Sequence, residues 1–304
     1  MSLYKKYRPT TLDDVMGNKS TTDSIESILN RKTGIPSAWL FSGPSGCGKT
    51  TLARIVAARL GVSDSDLREL NIGNLRGIDN AREIQEQMTL RPINGTHRAW
   101  ILDEVHMATK EFQNAMLKTL EDTPKHVLFF LCTTDPQKLI KTVRDRCTQY
   151  QVESLSERKV ERLLVSVCKK ESVHVPNEVI LQIAKDSYGS ARAALVVLDK
   201  IMNLSVKDMK AAAEQTMLEQ NEAIELARTL VKGGAWPPVA KILKGMGEYE
   251  VEGVRQLILA YCNSILMSND NPRVWLVMDC FRETFDRNGR PGMTMACYAA
   301  MSEK

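Results

Sequence analysis

A chain of 304 residues, 43% of them apolar, is too long for one ordinary core and points to two or three globular domains. Its apolar runs, such as Val127 to Cys132, fall far short of a bilayer span, and the charged start MSLYKKYRPT lacks the apolar stretch of a signal peptide. A membrane partner is therefore excluded and a cytoplasmic location expected. Seven scattered cysteines without CxxC spacing and four dispersed histidines indicate neither a zinc site nor a disulfide framework, and a net charge of +4 does not by itself identify a nucleic-acid partner.

In chain order, Lys19 to Asn30 reads as a polar helix, TGIP as a turn and Ala38 to Phe41 as a strand. Lys49 to Leu60 carries Leu52, Ile55, Val56 and Leu60 at helical spacing. A second strand is expected at Leu67 to Ile72, then a helix from Ile78 or Asp79 to Leu90. RAWILDEV and HVLFFLCTT are apolar runs ending in polar residues, separated by a helical Thr109 to Asp122, and a short strand follows at Thr148 to Val152. Strands apolar on both faces suit a buried parallel sheet with helices on both sides, an α/β nucleotide-binding layout.

The segment between the first strand and its helix, Gly43-Pro44-Ser45-Gly46-Cys47-Gly48-Lys49-Thr50-Thr51, fits G-x-x-x-x-G-K-[ST]. Glycines let backbone N–H groups curl round phosphates, the helix N-terminus adds positive potential, Lys49 reaches the β- and γ-phosphates, and Thr50 ligates Mg2+. Cys47 reads as a small filler of a tight turn. In AWILDEVH, four apolar positions put Asp103 and Glu104 at a strand's C-terminal rim, where open α/β sheets bind ligands. Asp103 would serve the metal, and Glu104 would orient and deprotonate the attacking water. Further polar groups are expected round the γ-phosphate from Thr133 and Thr134, from Arg144 and Arg146, and from Arg192 at a helix start.

KYRP (6–9), GPSGCGKTT (43–51), RGIDNAR (76–82), ILDEVHM (101–107), LKTLED (117–122), TTDPQKL (133–139), RDRC (144–147) and GSARAAL (189–195) occur in that order. The set resembles the AAA+ ATPase subunits of DNA polymerase sliding-clamp loaders, both the bacterial gamma/tau subunit and the small subunits of replication factor C. The resemblance covers roughly residues 1–203. It implies a RecA-like AAA+ domain with a parallel sheet (1–152), a small helical lid (153–203) and an all-α collar (204–304) through which five subunits assemble into a spiral. It also implies that ATP, with Mg2+, closes that spiral on a sliding clamp and primer-template DNA, and that hydrolysis releases both.

By the same resemblance Thr134 is the sensor-1 residue, Arg146 the arginine finger that reaches a neighbouring subunit's γ-phosphate, and Arg192 the sensor-2 arginine of the lid. Tyr7, Arg8 and Pro9, with Val15 to Gly17, resemble the adenine-walling segment. Arg82, with Arg76 and Lys110, would face the DNA backbone, giving sequence-independent, salt-sensitive binding. Gln113 resembles a residue that couples the DNA and nucleotide sites, against the alternative of an ordinary helix-surface glutamine. Two departures stand out. Asp145 replaces the family's usual serine before the finger and is placed to hold Arg146 back, and GVSDSDLREL stands where the gamma/tau subunit carries a zinc module. With the short C-terminus, the second departure favours a compact, phage-type loader subunit in a bacterial cell.

SERKVERLLVSVCKK, with an S-x-x-E capping box at Ser154 to Glu157, opens the lid, and NEVILQIAKDSYG and ARAALVVLDKIMN supply two more helices. Beyond them, helices are expected near 206–218, 220–232 and 238–246, with Gly233 and Gly234 ending the second and Pro237 starting the third. Val254, Leu257, Ile258, Tyr261 and Ile265 form one apolar stripe, and Val274, Met278, Phe281 and Phe285 another. Two other classes compete with a motor subunit: a catalytically silent structural subunit, against which Lys49, Asp103 and Glu104 argue, and another AAA+ machine of branch-migration or helicase-loading type.

Overall fold

The computed structural model describes residues 2–73, 77–206, 208–209, 223, 225–246, 251–266, 271–285 and 288–302. The chain divides into two compact units, Met1–Leu204 and Ser205–Lys304. In the first, β1 (Ala38–Ser42), β2 (Val62–Asn71), β3 (His97–Asp103), β4 (Val127–Thr133) and β5 (Thr148–Gln151) form one parallel sheet ordered β2-β3-β4-β1-β5. The inner strands are buried on both faces, β4 along its whole length, as their unbroken apolar runs require. Edge strand β5 buries Tyr150 and exposes Gln149 and Gln151.

Alternation along the strands builds two cores. Trp39, Phe41, Ile101 and Phe130 face α2 (Lys19–Leu29) and α3 (Lys49–Arg59), meeting Ile25, Leu52 and Ile55. Leu40, Trp100, Leu102 and Phe129 face the opposite layer, where α4 (Ile78–Gln87), α5 (Lys110–Glu121) and α6 (Lys141–Asp145) bring Ile84, Phe112, Met116 and Val143. Each fully buried aromatic contributes on the order of 2 kcal/mol of apolar burial.

The second strand starts at Val62 rather than Leu67, and α4 stops at Gln87 rather than Leu90. Ser63 to Asp66 carry no apolar alternation, and the register shifts between Val62 and Leu67, so the strand's early part is invisible to a periodicity search. Asp66 anchors it. The wholly buried carboxylate accepts N–H bonds from Ile93 (2.6 Å), Gly95 (2.8 Å) and Asn94 (3.0 Å) and a hydroxyl bond from Ser63 (2.5 Å). Burial opposes its ionisation, but these four donors outweigh burial and hold the carboxyl well below the usual range.

Three helices follow the sheet: α7 (Glu157–Glu171), α8 (Asn177–Asp186) and α9 (Ala191–Ile201). They bury Val160, Leu164 and Val167, Val179, Ile180 and Ile183, and Ala194, Leu195 and Leu198. The expected capping box at Ser154 and Glu157 does not form. Ser156 is the N-cap, without a side-chain capping bond, and Glu157 is already the first helical residue. Leu155 N–H instead donates to Gly189 O at 3.0 Å, drawing residues 154–155 to the turn before α9. One helical turn, α1 (Leu3–Lys6), packs against α9 and donates Leu3 N–H to Asp199 at 3.3 Å.

The second unit is helical where described, with Trp236–Gly245, Val251–Leu266, Pro272–Cys280 and Gly289–Ser302. Residues 225–232 are helical and end at Gly233, whose φ of 70° is left-handed. Trp236, one residue before Pro237, opens the following helix. The expected segment 206–218 and the start of 220–232 fall largely outside the described residues. Val254, Ile258, Val274, Val277, Phe281 and Met293 form its core. Arg255, 9% exposed, is satisfied by Glu252 and by the carbonyls of Phe281 (3.0 Å) and Arg282 (3.3 Å).

Asp66→Asn is expected to lower stability at pH 7 by about 2–3 kcal/mol, the worth of charge-assisted hydrogen bonds lost at a buried site. The folded carboxyl has the depressed pKa, so its contribution is complete above about pH 5 and is lost as pH falls below the unfolded value of about 3.9. Urea titrations across pH 3–7 should show the gap between parent and variant narrowing only on the acid side.

Candidate nucleotide site

The strand order explains where the site lies. β4 runs between β1 and β3, so the loop after β1 and the acidic end of β3 meet at one rim of the sheet. Gly43 (φ 149°), Gly46 (φ 74°) and Gly48 (φ 106°) all have positive φ. A Cβ on Gly43 would stand 2.0 Å from Val152 O, so the backbones meet there at a distance only glycine allows. Lys49 is only 6% exposed and donates through Nζ to Gly43 O (2.8 Å) and Pro44 O (2.7 Å), which folds its ammonium over the loop. Burial pushes the half-buried Cys47 thiol up, although Lys49 opposes this, so Cys47 is a protonated packing group.

Thr50 Oγ1 donates to Asp103 Oδ2 at 3.0 Å, and Asp103 Oδ1 accepts the N–H of Glu104 at 3.0 Å. These are hard oxygen donors suited to Mg2+. Among the described residues no group of three His, Cys, Asp or Glu gathers round a metal position, so such an ion would complete its shell with water and phosphate oxygens, as Mg2+ ordinarily does. Glu104 sits in the left-handed region (φ 52°), which turns its side chain out of the strand line. Burial, and Asp103 beside it, raise its pKa, while Lys49 and Arg192 oppose the rise. A carboxylate with heightened proton affinity is suited to accept a proton from water.

A cavity of about 450 Å³ opens over this rim, lined by Ser45 to Thr51, Asp103 and Glu104 together with Tyr4, Lys6 to Pro9, Val15, Met16, Leu163 and Arg192. The N-terminal segment is fixed to the lid helices. Tyr7 donates its hydroxyl to Glu171 at 2.6 Å, and Lys6 reaches the same carboxylate at 2.7 Å. Arg192 lies 5.8 Å from the Tyr4 ring centre. Arg8 is half-buried, and burial, reinforced by Arg54, lowers its pKa. Gly46 approaches α9 so closely that a Cβ would lie 2.2 Å from Ser190 Oγ.

The remaining expected residues stand elsewhere. Gly17 is not in the cavity wall; its φ of 82° makes a turn against Leu155. Thr134 lies past the end of β4 beside His106, Nε2 to Oγ1 3.5 Å. Arg146 does not line the cavity and pairs with Glu121 at 2.8 Å, not with Asp145, while also donating to Thr142 O at 3.1 Å. Arg82 is exposed on α4 and pairs with Asp79, Lys110 is exposed at the start of α5, and Arg76 lies outside the described residues. Gln113 is buried rather than on a helix surface. It donates to Ala108 O (3.2 Å) and Lys138 O (3.3 Å) and accepts from Ile140 N–H (2.8 Å), tying α5 to the segment after β4. Tyr4, Glu171, Ser190 and His106 escaped the sequence reading. Of these, Ser190, inside GSARAAL, and His106, inside ILDEVHM, had a motif around them.

A phosphate loop after the first strand of this sheet order, facing a helix that carries an arginine, defines a P-loop ATPase with AAA+ architecture. Solved structures agree on the fold: a point variant of Thermotoga maritima RuvB superposes with a TM-score of 0.62 at 18% identity, over 85% of this chain and 91% of that one. Residues 2–92 match the family described as Rad17 P-loop domain, and residues 64–156 that described as DNA polymerase III, delta subunit. The Mycobacterium tuberculosis DNA polymerase III subunit gamma/tau is 35% identical over 225 residues, 66% of this chain and 39% of that protein. The Escherichia coli tau subunit is 31% identical over 76% of this chain and 39% of that one, and a Buchnera aphidicola gamma subunit 28% identical over 90% and 82%. The comparisons make the chain a relative of the DNA polymerase III gamma/tau subunits, with AAA+ fold and phosphate loop. It spans about two-fifths of the length of the mycobacterial and E. coli relatives.

Gly46→Ala is expected to weaken nucleotide binding about tenfold or more. The added methyl both strains a left-handed residue by about 1–2 kcal/mol and pushes α9 with Arg192 off the loop. Titration of a fluorescent adenine nucleotide against the full chain measures this.

Proposed function

We propose that the chain is an ATP-hydrolysing motor subunit of a clamp loader, which opens a sliding clamp and places it on primer-template DNA. The observation that carries this reading is the split of the cations. Lys49 and Arg192 line the chain's own cavity, whereas Arg146 stands outside it on a half-exposed surface pair. An arginine held outside its own chain's cavity, on a largely solvated pair, fits a spiral of about five subunits, each completing its neighbour, as the family resemblance implies. The sheet unit to residue 152 and the lid 153–203 would close on each other, and the collar 204–304 would hold the ring of subunits together.

In this reading the loop from Gly43 to Thr51 wraps the ATP phosphates with backbone N–H groups, and Lys49 leaves Gly43 O and Pro44 O to pair with them. Tyr7 to Pro9 and Val15 wall the adenine. Thr50 and Asp103 hold Mg2+, which supplies charge neutralisation of the phosphate oxygens. Glu104 orients a water and takes its proton as the water oxygen bonds to the γ-phosphorus and the bridging β–γ bond breaks. Thr134 and Arg192 from the same chain, and Arg146 from the next, stabilise the charge on the transferring group.

Gln113 supports a route from DNA to this chemistry. It bonds Ala108, at the foot of its own helix, and Lys138 and Ile140 in the segment after β4, so a push on α5 by a DNA backbone at Lys110 would be felt in that segment. Binding should be independent of sequence and should weaken with salt.

ATP turnover should rise when primer-template DNA and a ring clamp are added together to the assembled subunits. No turnover would make this a structural subunit, and stimulation indifferent to the clamp would favour another DNA-associated AAA+ machine. Arg146→Ala is expected to keep ATP binding within about twofold and to cut turnover by about 10³-fold, the scale of an arginine finger. Mixing it with Lys49→Arg subunits should restore part of the rate, and normal hydrolysis by Arg146→Ala in the assembly would exclude the trans role. Arg82→Ala should lower DNA-stimulated turnover and leave basal turnover and nucleotide affinity unchanged.

A further inference from the structure

His106 sits in the short helical turn Val105–Met107 that follows Glu104, and its ring is mostly covered. Its Nδ1 lies 3.2 Å from Thr133 Oγ1 and 3.3 Å from Glu104 Oε2, while its Nε2 lies 3.5 Å from Thr134 Oγ1. One imidazole thus touches the residue read as general base and the residue read as γ-phosphate sensor. We propose that His106 is a positioning residue, protonated at Nδ1, that transmits the state of the Thr134 hydroxyl to Glu104; this rests on the ATPase reading above.

The proton assignment follows from the neighbours. A lone pair on Nδ1 would face a carboxylate oxygen at 3.3 Å, which is repulsive, so the hydrogen belongs on Nδ1. With that tautomer Thr133 Oγ1, 3.2 Å away, is a second acceptor beside the same N–H, and its other neighbour is Asp135 N–H, from which it accepts at 3.0 Å. Burial first, then Lys138, lowers the His106 pKa, so the ring is neutral and Nε2 keeps a lone pair. Only a donor can meet that lone pair, and the neighbour there is the Thr134 hydroxyl. The Thr134 hydrogen is thereby committed to His106.

A phosphate oxygen that takes the Thr134 hydrogen removes the bond that fixes one end of the ring. The ring then turns about its Thr133 anchor, and the edge facing Glu104 moves with it. Glu104, at left-handed φ and with its carboxylate 3.3 Å from the neutral His106 ring, swings toward the water when that edge withdraws. Sensing and base positioning become one event through a single ring, with no backbone movement required.

The test uses the full chain labelled with ¹⁵N-histidine, whose four histidines are resolvable by NMR and assignable by substitution. His106 is expected as the Nδ1–H form, and addition of a non-hydrolysable ATP analogue with Mg2+ should shift its Nε2 resonance in the parent but not in Thr134→Val. An Nε2–H form, or the same shift in Thr134→Val, overturns the proposal. In the assembled, DNA- and clamp-stimulated protein, His106→Phe keeps the ring volume but loses both nitrogens. It should lower kcat about tenfold or more at a KM within about twofold, and His106→Asn, which restores a donor near the Nδ1 position, should recover part of that loss. Undiminished turnover by His106→Phe, with the parent active, overturns this proposal alone. A parent chain that never hydrolyses ATP overturns it together with the motor reading.

Discussion

The hydrogen bond from Thr50 to Asp103, 3.0 Å long, joins the first turn of α3 to the end of β3 across the width of β4. That bond forms only if three inner strands share one register and end at one level, which the buried aromatic and aliphatic side chains on both faces enforce. A slip of one residue would turn Trp39 and Trp100 to the wrong layers and carry Asp103 away from the loop. The two cores therefore act on the site through position. They bring no chemical group to it.

The lid is held to that rim by contacts of a different kind. Gly46 lies almost in contact with Ser190, Leu155 N–H bonds Gly189 O, and Tyr7 with Lys6 grips Glu171. These are local polar or steric contacts rather than a shared apolar core cluster. If these helices are the proposed lid, a joint of this composition would keep a preferred geometry and still open at modest cost to admit and release a nucleotide.

What the sequence made legible was local. Gly43 to Thr51 is a continuous motif flanked by a strand and a helix, and the central strands are unbroken apolar runs, so both could be read from neighbours along the chain. What it hid was set by partners far away. The early part of β2 depends on Asp66 meeting the backbone of 93–95, and Gln113 looks like an amphipathic-helix surface residue until Ala108, Lys138 and Ile140 close over it. The capping box at Ser154 failed because Leu155 has a better partner in Gly189. The charge beside Arg146 was sought in Asp145, one residue away, whereas the fold supplies Glu121 from the end of α5.

That last substitution of partners bears on how a finger arginine can wait outside its target. The Arg146 guanidinium is about one-third exposed and Glu121 about two-thirds, so the pair is largely solvated and is worth at most about 1 kcal/mol. A γ-phosphate in a closed interface offers more charge, parallel acceptors that match the guanidinium fork, and less competing water. If Arg146 is the proposed finger, the exchange of Glu121 for phosphate would therefore run downhill once a neighbour's loaded site arrives, and would run back when the phosphate leaves. Glu121 and Thr142 O together hold the guanidinium outside the chain's own cavity. A weak pair at this position is consequently better suited to a reversible step than a buried one, which would leave an unpaired carboxylate each time the finger engaged.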